Sequence, residues 1–88
     1  MKNLKNRVVI AREVNVPELY FQDDGRIKTY PRRMEYEGRE YTFLDGLRYL
    51  VQKGQELIQI FDMTDGAHDY RLQFDAAQHS WTLVDMTL

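Results

Sequence analysis

The sequence predicts an all-β fold, a small antiparallel meander of six to seven strands curled into a barrel or a strongly twisted sheet. Three observations carry this expectation. Turn-forming pairs recur every 7 to 12 residues at Glu37-Gly38, Asp45-Gly46, Lys53-Gly54 and Asp65-Gly66, followed by a polar tract over 77–80. Between them apolar and polar side chains alternate with a period of two, the pattern of strands with one buried face. The pairing implied by these turns also lays the apolar residues of four successive segments on one face. The rival is an α+β version with one short helix at 46–53, because Leu47, Leu50, Val51, Gly54, Leu57 and Ile58 also satisfy i, i+3, i+4 spacing. Asp45 would be its N-cap and Gly54 its C′ residue.

Taken in order, residues 7–14 read as a first strand. Residues 15–31 hold both prolines, Pro17 and Pro31, together with Asp23-Asp24-Gly25, so an irregular connector with one short extended piece at 19–22 is expected. Glu37-Gly38 as a two-residue loop sets Tyr36 opposite Arg39 and Met34 opposite Tyr41, with Phe43 on the same face. Leu44-Asp45-Gly46 as a three-residue loop, with Gly46 in the left-handed position of a bulge, would pair Phe43 with Leu47 and Tyr41 with Tyr49. Lys53-Gly54 as the next loop sets Tyr49 opposite Ile58 and Leu47 opposite Ile60. The expected core face is then Met34, Tyr36, Tyr41, Phe43, Leu47, Tyr49, Val51, Ile58 and Ile60. A helix at 46–53 explains only its own stretch, so the hairpin reading accounts for more residues. Farther on, Tyr70, Leu72 and Phe74 alternate with Arg71, Gln73 and Asp75. Trp81 and Leu83 alternate with Thr82 and Val84, and Trp81, the largest apolar side chain, is expected to anchor the core.

With 88 residues the chain forms one domain with one core, too small for a deep cleft between lobes. No apolar run approaches the roughly 18 residues of a membrane helix. The apolar stretch after the basic residues Lys2, Lys5 and Arg7 is too short for a secretory leader, so a cytoplasmic protein with no membrane partner is expected. The absence of cysteine excludes disulfides, thiolate zinc sites and cysteine nucleophiles. The net charge of −2 divides into +2 over residues 1–40 and −4 over 41–88, which disfavours a protein dedicated to phosphate backbones.

Candidate chemistry is sparse. Asp62, Asp65, His68 and Asp69 could surround a divalent cation, but Asp65-Gly66 is what a hairpin turn requires and the spacing is not that of a calcium loop. Ser80 adjoins His79, yet neighbours in a strand point to opposite faces and no nucleophile elbow surrounds the serine. The five glycines never fall in a phosphate-loop spacing. Glu35 opposite Glu40 could supply an acid and a base, though two solvent-facing carboxylates that splay apart explain the pair as well. The expectation is a protein that is not an enzyme, with no cofactor and no metal.

Two surfaces remain. Arg26, Lys28, Tyr30, Arg32, Arg33, Tyr36, Arg39 and Tyr41 interleave cations with aromatic rings, as single-stranded nucleic acid would require, although Arg32 and Arg33 also suit a guarded sheet edge. On the reverse of the expected core face, Leu50, Leu57, Phe61 and Met63 form a second apolar face. Either the N-terminal segment (Val8, Ile10, Val14, Leu19, Phe21) covers it or another molecule does. The expected function is a non-enzymatic protein–protein interaction module whose partner is another protein or its own copy. The alternative is a small nucleic-acid-binding β-barrel using the cationic surface.

Overall fold

The computed structural model describes residues 6–23 and 27–88, and for Asp23 and Ile27 the backbone alone. Seven strands follow one another: β1 (Arg7–Asp23), β2 (Ile27–Tyr36), β3 (Arg39–Thr42), β4 (Asp45–Lys53), β5 (Glu56–Thr64), β6 (Asp69–Asp75) and β7 (Ser80–Thr87). All pairings are antiparallel, in the order β3-β2-β1-β7-β6-β5-β4, and the sheet does not close. Residues 46–53 are strand, not helix. No helix long and apolar enough to cross a membrane occurs among the described residues.

The expected connector over 15–31 is instead mostly strand. β1 pairs with β7 over Arg7 to Val14 and then with β2 over Asn15 to Asp23, so one 17-residue strand serves both halves of the sheet. Pro17 sits in the register shift between Asn15 and Glu18, where its missing N–H costs no ladder bond. Pro31 lies on the part of β2 that precedes its pairing with β3, so its missing N–H costs no bond of that ladder while its ring is fully buried. Asp24, Gly25 and Arg26 lie outside the described residues.

The Glu37-Gly38 hairpin has the expected register, Met34 opposite Tyr41 and Tyr36 opposite Arg39. Both central residues are left-handed, at φ 52 and 75, as a type I′ turn demands. The expected Leu44-Asp45-Gly46 hairpin does not exist. Phe43 and Leu44 instead carry the chain across the core: the Phe43 N–H donates to the Arg32 carbonyl and the Leu44 N–H to the Thr64 carbonyl, each at 2.8 Å. β3 and β4 thus end at opposite edges of the sheet. Nor does Gly46 have a left-handed backbone. A Cβ there would lie 2.3 Å from Met63 Sδ and 2.8 Å from the Asp62 carbonyl, so glycine is required for close approach.

Because the sheet folds over at β1, β1–β3 cover the inner face of β4–β7. The core joins Val14, Tyr30, Met34 and Phe43 to Phe61, Met63, Tyr70, Leu72 and Leu83. Burying each of these large side chains contributes about 1.5 to 3 kcal/mol. Their rings meet at offset and edge geometries, Phe43 to Tyr70 at 5.2 Å and Tyr30 to Phe61 at 5.9 Å. Trp81 is half-buried at the rim of this core, against Phe61 at 5.1 Å and Phe74 at 4.9 Å.

Candidate interaction surface

Losing the β3–β4 pairing reverses which face of the β4–β5 hairpin is inside. Phe61 and Met63 are 2% and 1% exposed, sealed by the chain's own β1–β3 layer, so they present nothing to a partner. Leu47, Tyr49 and Val51, expected in the core, are exposed on the outer face, Leu47 at 70%. Ile58 and Ile60 stand beside them as the cross-strand partners of Val51 and Tyr49. Leu50 and Leu57 share the inner face with Phe61, but at the far end of the hairpin they remain exposed, at 51% and 61%. The expected four-residue patch is therefore split, two residues in the core and two outside it.

The turn of this hairpin is Gly54-Gln55, flanked by Lys53 opposite Glu56. Gly54 has φ 63 at the first central position, the requirement of a type II′ turn. The register is consequently two residues from the expected one, with Leu50 opposite Gln59 and Gln52 opposite Leu57. A shift of two preserves the face of every side chain, so the pattern of inside and outside is untouched by it.

Polar contacts fix the outer face. Arg71 donates from Nε to Asp62 Oδ1 at 2.8 Å and from Nη2 to Oδ2 at 3.2 Å, and the Tyr49 hydroxyl donates to Oδ2 at 2.9 Å. Burial pushes the Asp62 carboxyl up, but the Arg71 and Tyr49 hydrogen bonds outweigh it and hold the group below its ordinary value. Tyr49 is thereby pinned over β5 while its strand remains at the sheet margin.

β4 is that margin. Among the described residues no strand pairs with its outer side along all nine positions, and its two faces carry Leu47, Tyr49 and Val51 on one and Leu50 on the other. The remaining margins are shorter or interrupted. β3 is only four residues long and carries Arg39 and Glu40, the part of β2 that does not pair with β3 contains the fully buried Pro31, and the second half of β1 is broken by Pro17 and Glu18 before the exposed Leu19 and Phe21.

The cationic surface is dispersed. Arg32 lies over the Tyr20 ring at 4.3 Å, Arg33, its neighbour in β2, points to the other face 3.8 Å from Glu18, and Arg39 lies in the adjacent strand β3 opposite Tyr36. Tyr30, stacked on Tyr20 at 5.4 Å, is only 4% exposed and offers no face to a base. Lys28 instead borders a half-open hollow of about 280 Å³ between the layers, with Arg48, Phe61, Phe74 and Trp81. Arg26 lies outside the described residues.

The acidic cluster is turn chemistry. Asp65 accepts from the backbone of Ala67 at 2.8 Å and His68 at 2.7 Å and from the Tyr70 hydroxyl at 2.7 Å. Among the described residues no three His, Asp or Glu side chains gather as metal ligands. Glu35 does face Glu40, and accepts from Asn15 Nδ2 at 2.8 Å. Comparison with protein-family models, with curated proteins and with solved structures finds no match to this chain.

Proposed function

We propose that this chain is a non-enzymatic protein–protein interaction module that works through its β4 edge and the outer face of the β4–β5 hairpin. The observation that carries the reading is the nine-residue β4 edge, which among the described residues pairs with no strand on its outer side and carries Leu47, Tyr49 and Val51 on one face and Leu50 on the other, in a sheet whose other margins are short or broken by proline. An edge of this kind offers a row of backbone donors and acceptors to an incoming strand, and the flanking side chains supply apolar area. The nucleic-acid alternative has less support, since its cations are scattered and Tyr30 is enclosed.

A photoreactive residue placed at position 47 on the β4 edge, and separately at position 40 on β3, tests this reading in cells and in pure protein. Adducts at 47 and not at 40 are expected. Adducts confined to 40, or none at 47, would overturn it.

A further inference from the structure

We propose that the partner of the β4 edge is a second copy of this chain, joined antiparallel through β4 with Tyr49 on the two-fold axis. The proposal rests on the interaction reading above and names its occupant. The argument is the self-complementarity of β4, whose sequence is Asp45-Gly46-Leu47-Arg48-Tyr49-Leu50-Val51-Gln52-Lys53. A symmetric dimer makes each strand the other's template, so residue i meets residue j and j meets i. If the outer faces of both copies are to continue as one surface, opposed residues must share parity, because neighbours in a strand alternate faces.

Few registers meet that condition. Pairing about Tyr49 uses all nine residues of β4. It sets Asp45 against the partner's Lys53 at both ends, Leu47 against the partner's Val51, and Tyr49 against the partner's Tyr49. These residues lie on the outer face, where Leu47 and Val51 are exposed and Ile58 and Ile60 flank them. On the inner face Leu50 meets the partner's Arg48. Pairing about Arg48 instead would set that guanidinium against its own copy, and pairing about Leu50 would leave Asp45 without Lys53. Charge complementarity at the ends and apolar matching in the middle thus select one register.

The charged ends give a test that no other arrangement passes. Asp45→Lys alone would put like charges together at both ends of the dimer, and so would Lys53→Asp alone. Mixed with each other, the two variants restore opposite charges at both ends. Asp45 accepts from its own Gly46 N–H at 2.8 Å and Lys53 stands opposite Glu56 of its own hairpin. Each single variant therefore also alters a contact within its own chain, and the mixture, which leaves those changes in place, is the deciding arm. Circular dichroism checks that each variant keeps its fold.

Sedimentation equilibrium of the full chain is expected to show a dimer for the parent. Each single variant should raise the dimer dissociation constant about tenfold, and an equimolar mixture should recover parental affinity as a heterodimer. A parent that stays monomeric at about 1 mM overturns the self-pairing. A dimer indifferent to both substitutions, or a mixture no tighter than its components, overturns the register and places the contact elsewhere. If the parent is monomeric while position 47 still forms adducts with another protein, the interaction reading survives and only the second copy is lost. If neither is seen, both fail.

Discussion

Two small residues show that side-chain size and backbone conformation are separate constraints. Gly46 has an ordinary backbone but no room, with Met63 Sδ 2.3 Å from where its Cβ would be. Gly46→Ala must move Met63, a fully buried core residue, and is expected to cost about 1 to 3 kcal/mol in a urea titration. Ala11 is the reverse case: it has room on the surface but a left-handed backbone, φ 53, inside the register shift between Val9 and Arg12. Ala11→Gly relieves that conformation and is expected to stabilise by about 0.5 to 1 kcal/mol, net of the extra freedom it gives the unfolded chain. The glycine was visible in the sequence, but its reason was not. A left-handed bulge and a close approach both ask for glycine, and only the partner strand decides between them.

At the scale of elements, the strands were legible and their neighbours only partly so. Period-two alternation located β6 and β7, and the turn pair Glu37-Gly38 fixed the β2–β3 register, because a two-residue turn leaves no freedom in what it joins. Pro17 and Pro31 concealed the second half of β1 and the start of β2, since prolines at a bulge and beyond the end of a neighbouring strand look like loop residues until pairing is known. The inverted hairpin had a readable signal that the shared-face construction overrode. Thr64 opposite Asp69 sets Met63 against Tyr70 and Phe61 against Leu72, whereas the other face of β5 and β6 carries Asp62 and Arg71. Depth along the hairpin was not readable, because it depends on where β1–β3 stop covering it. The expected consequence is a sharp contrast between two residues of one face. Leu57→Lys should change folding stability by less than about 0.5 kcal/mol. Met63→Lys should cost several kcal/mol, about the whole stability of a small domain, and its thermal unfolding transition should disappear.

For the molecule as a whole, Asp62 and Asp65 on the acid side and Tyr70, together with Tyr20 and Tyr49, on the alkaline side bound the pH range of stability. In the fold, burial raises Asp65 but is outweighed by hydrogen bonds from the His68 and Ala67 backbone and the Tyr70 hydroxyl, so Asp65, like Asp62, titrates below its ordinary value. Their contribution is present above about pH 4, the unfolded value, and is lost as pH falls through the lower folded values. Tyr70 is pushed up by burial and by its bond to Asp65, so its contribution is complete below about pH 10 and is lost at higher pH. Urea midpoints should therefore be level from about pH 6 to 8 and fall on both sides. Tyr70→Phe should lower the plateau by about 1 kcal/mol and flatten the alkaline limb. The dual membership of β1 acts on the same scale. Its first half waits for β7, with Arg7 opposite Thr87, while its second half needs only β2. During synthesis the β1–β3 layer can form early, but the other layer lacks its last neighbour until the final strand emerges. Such late pairing of distant segments places folding in the millisecond-to-second range. It also makes β1 the seam through which both layers lose protection together, so amide hydrogens of β2 and β7 should exchange in a single cooperative opening.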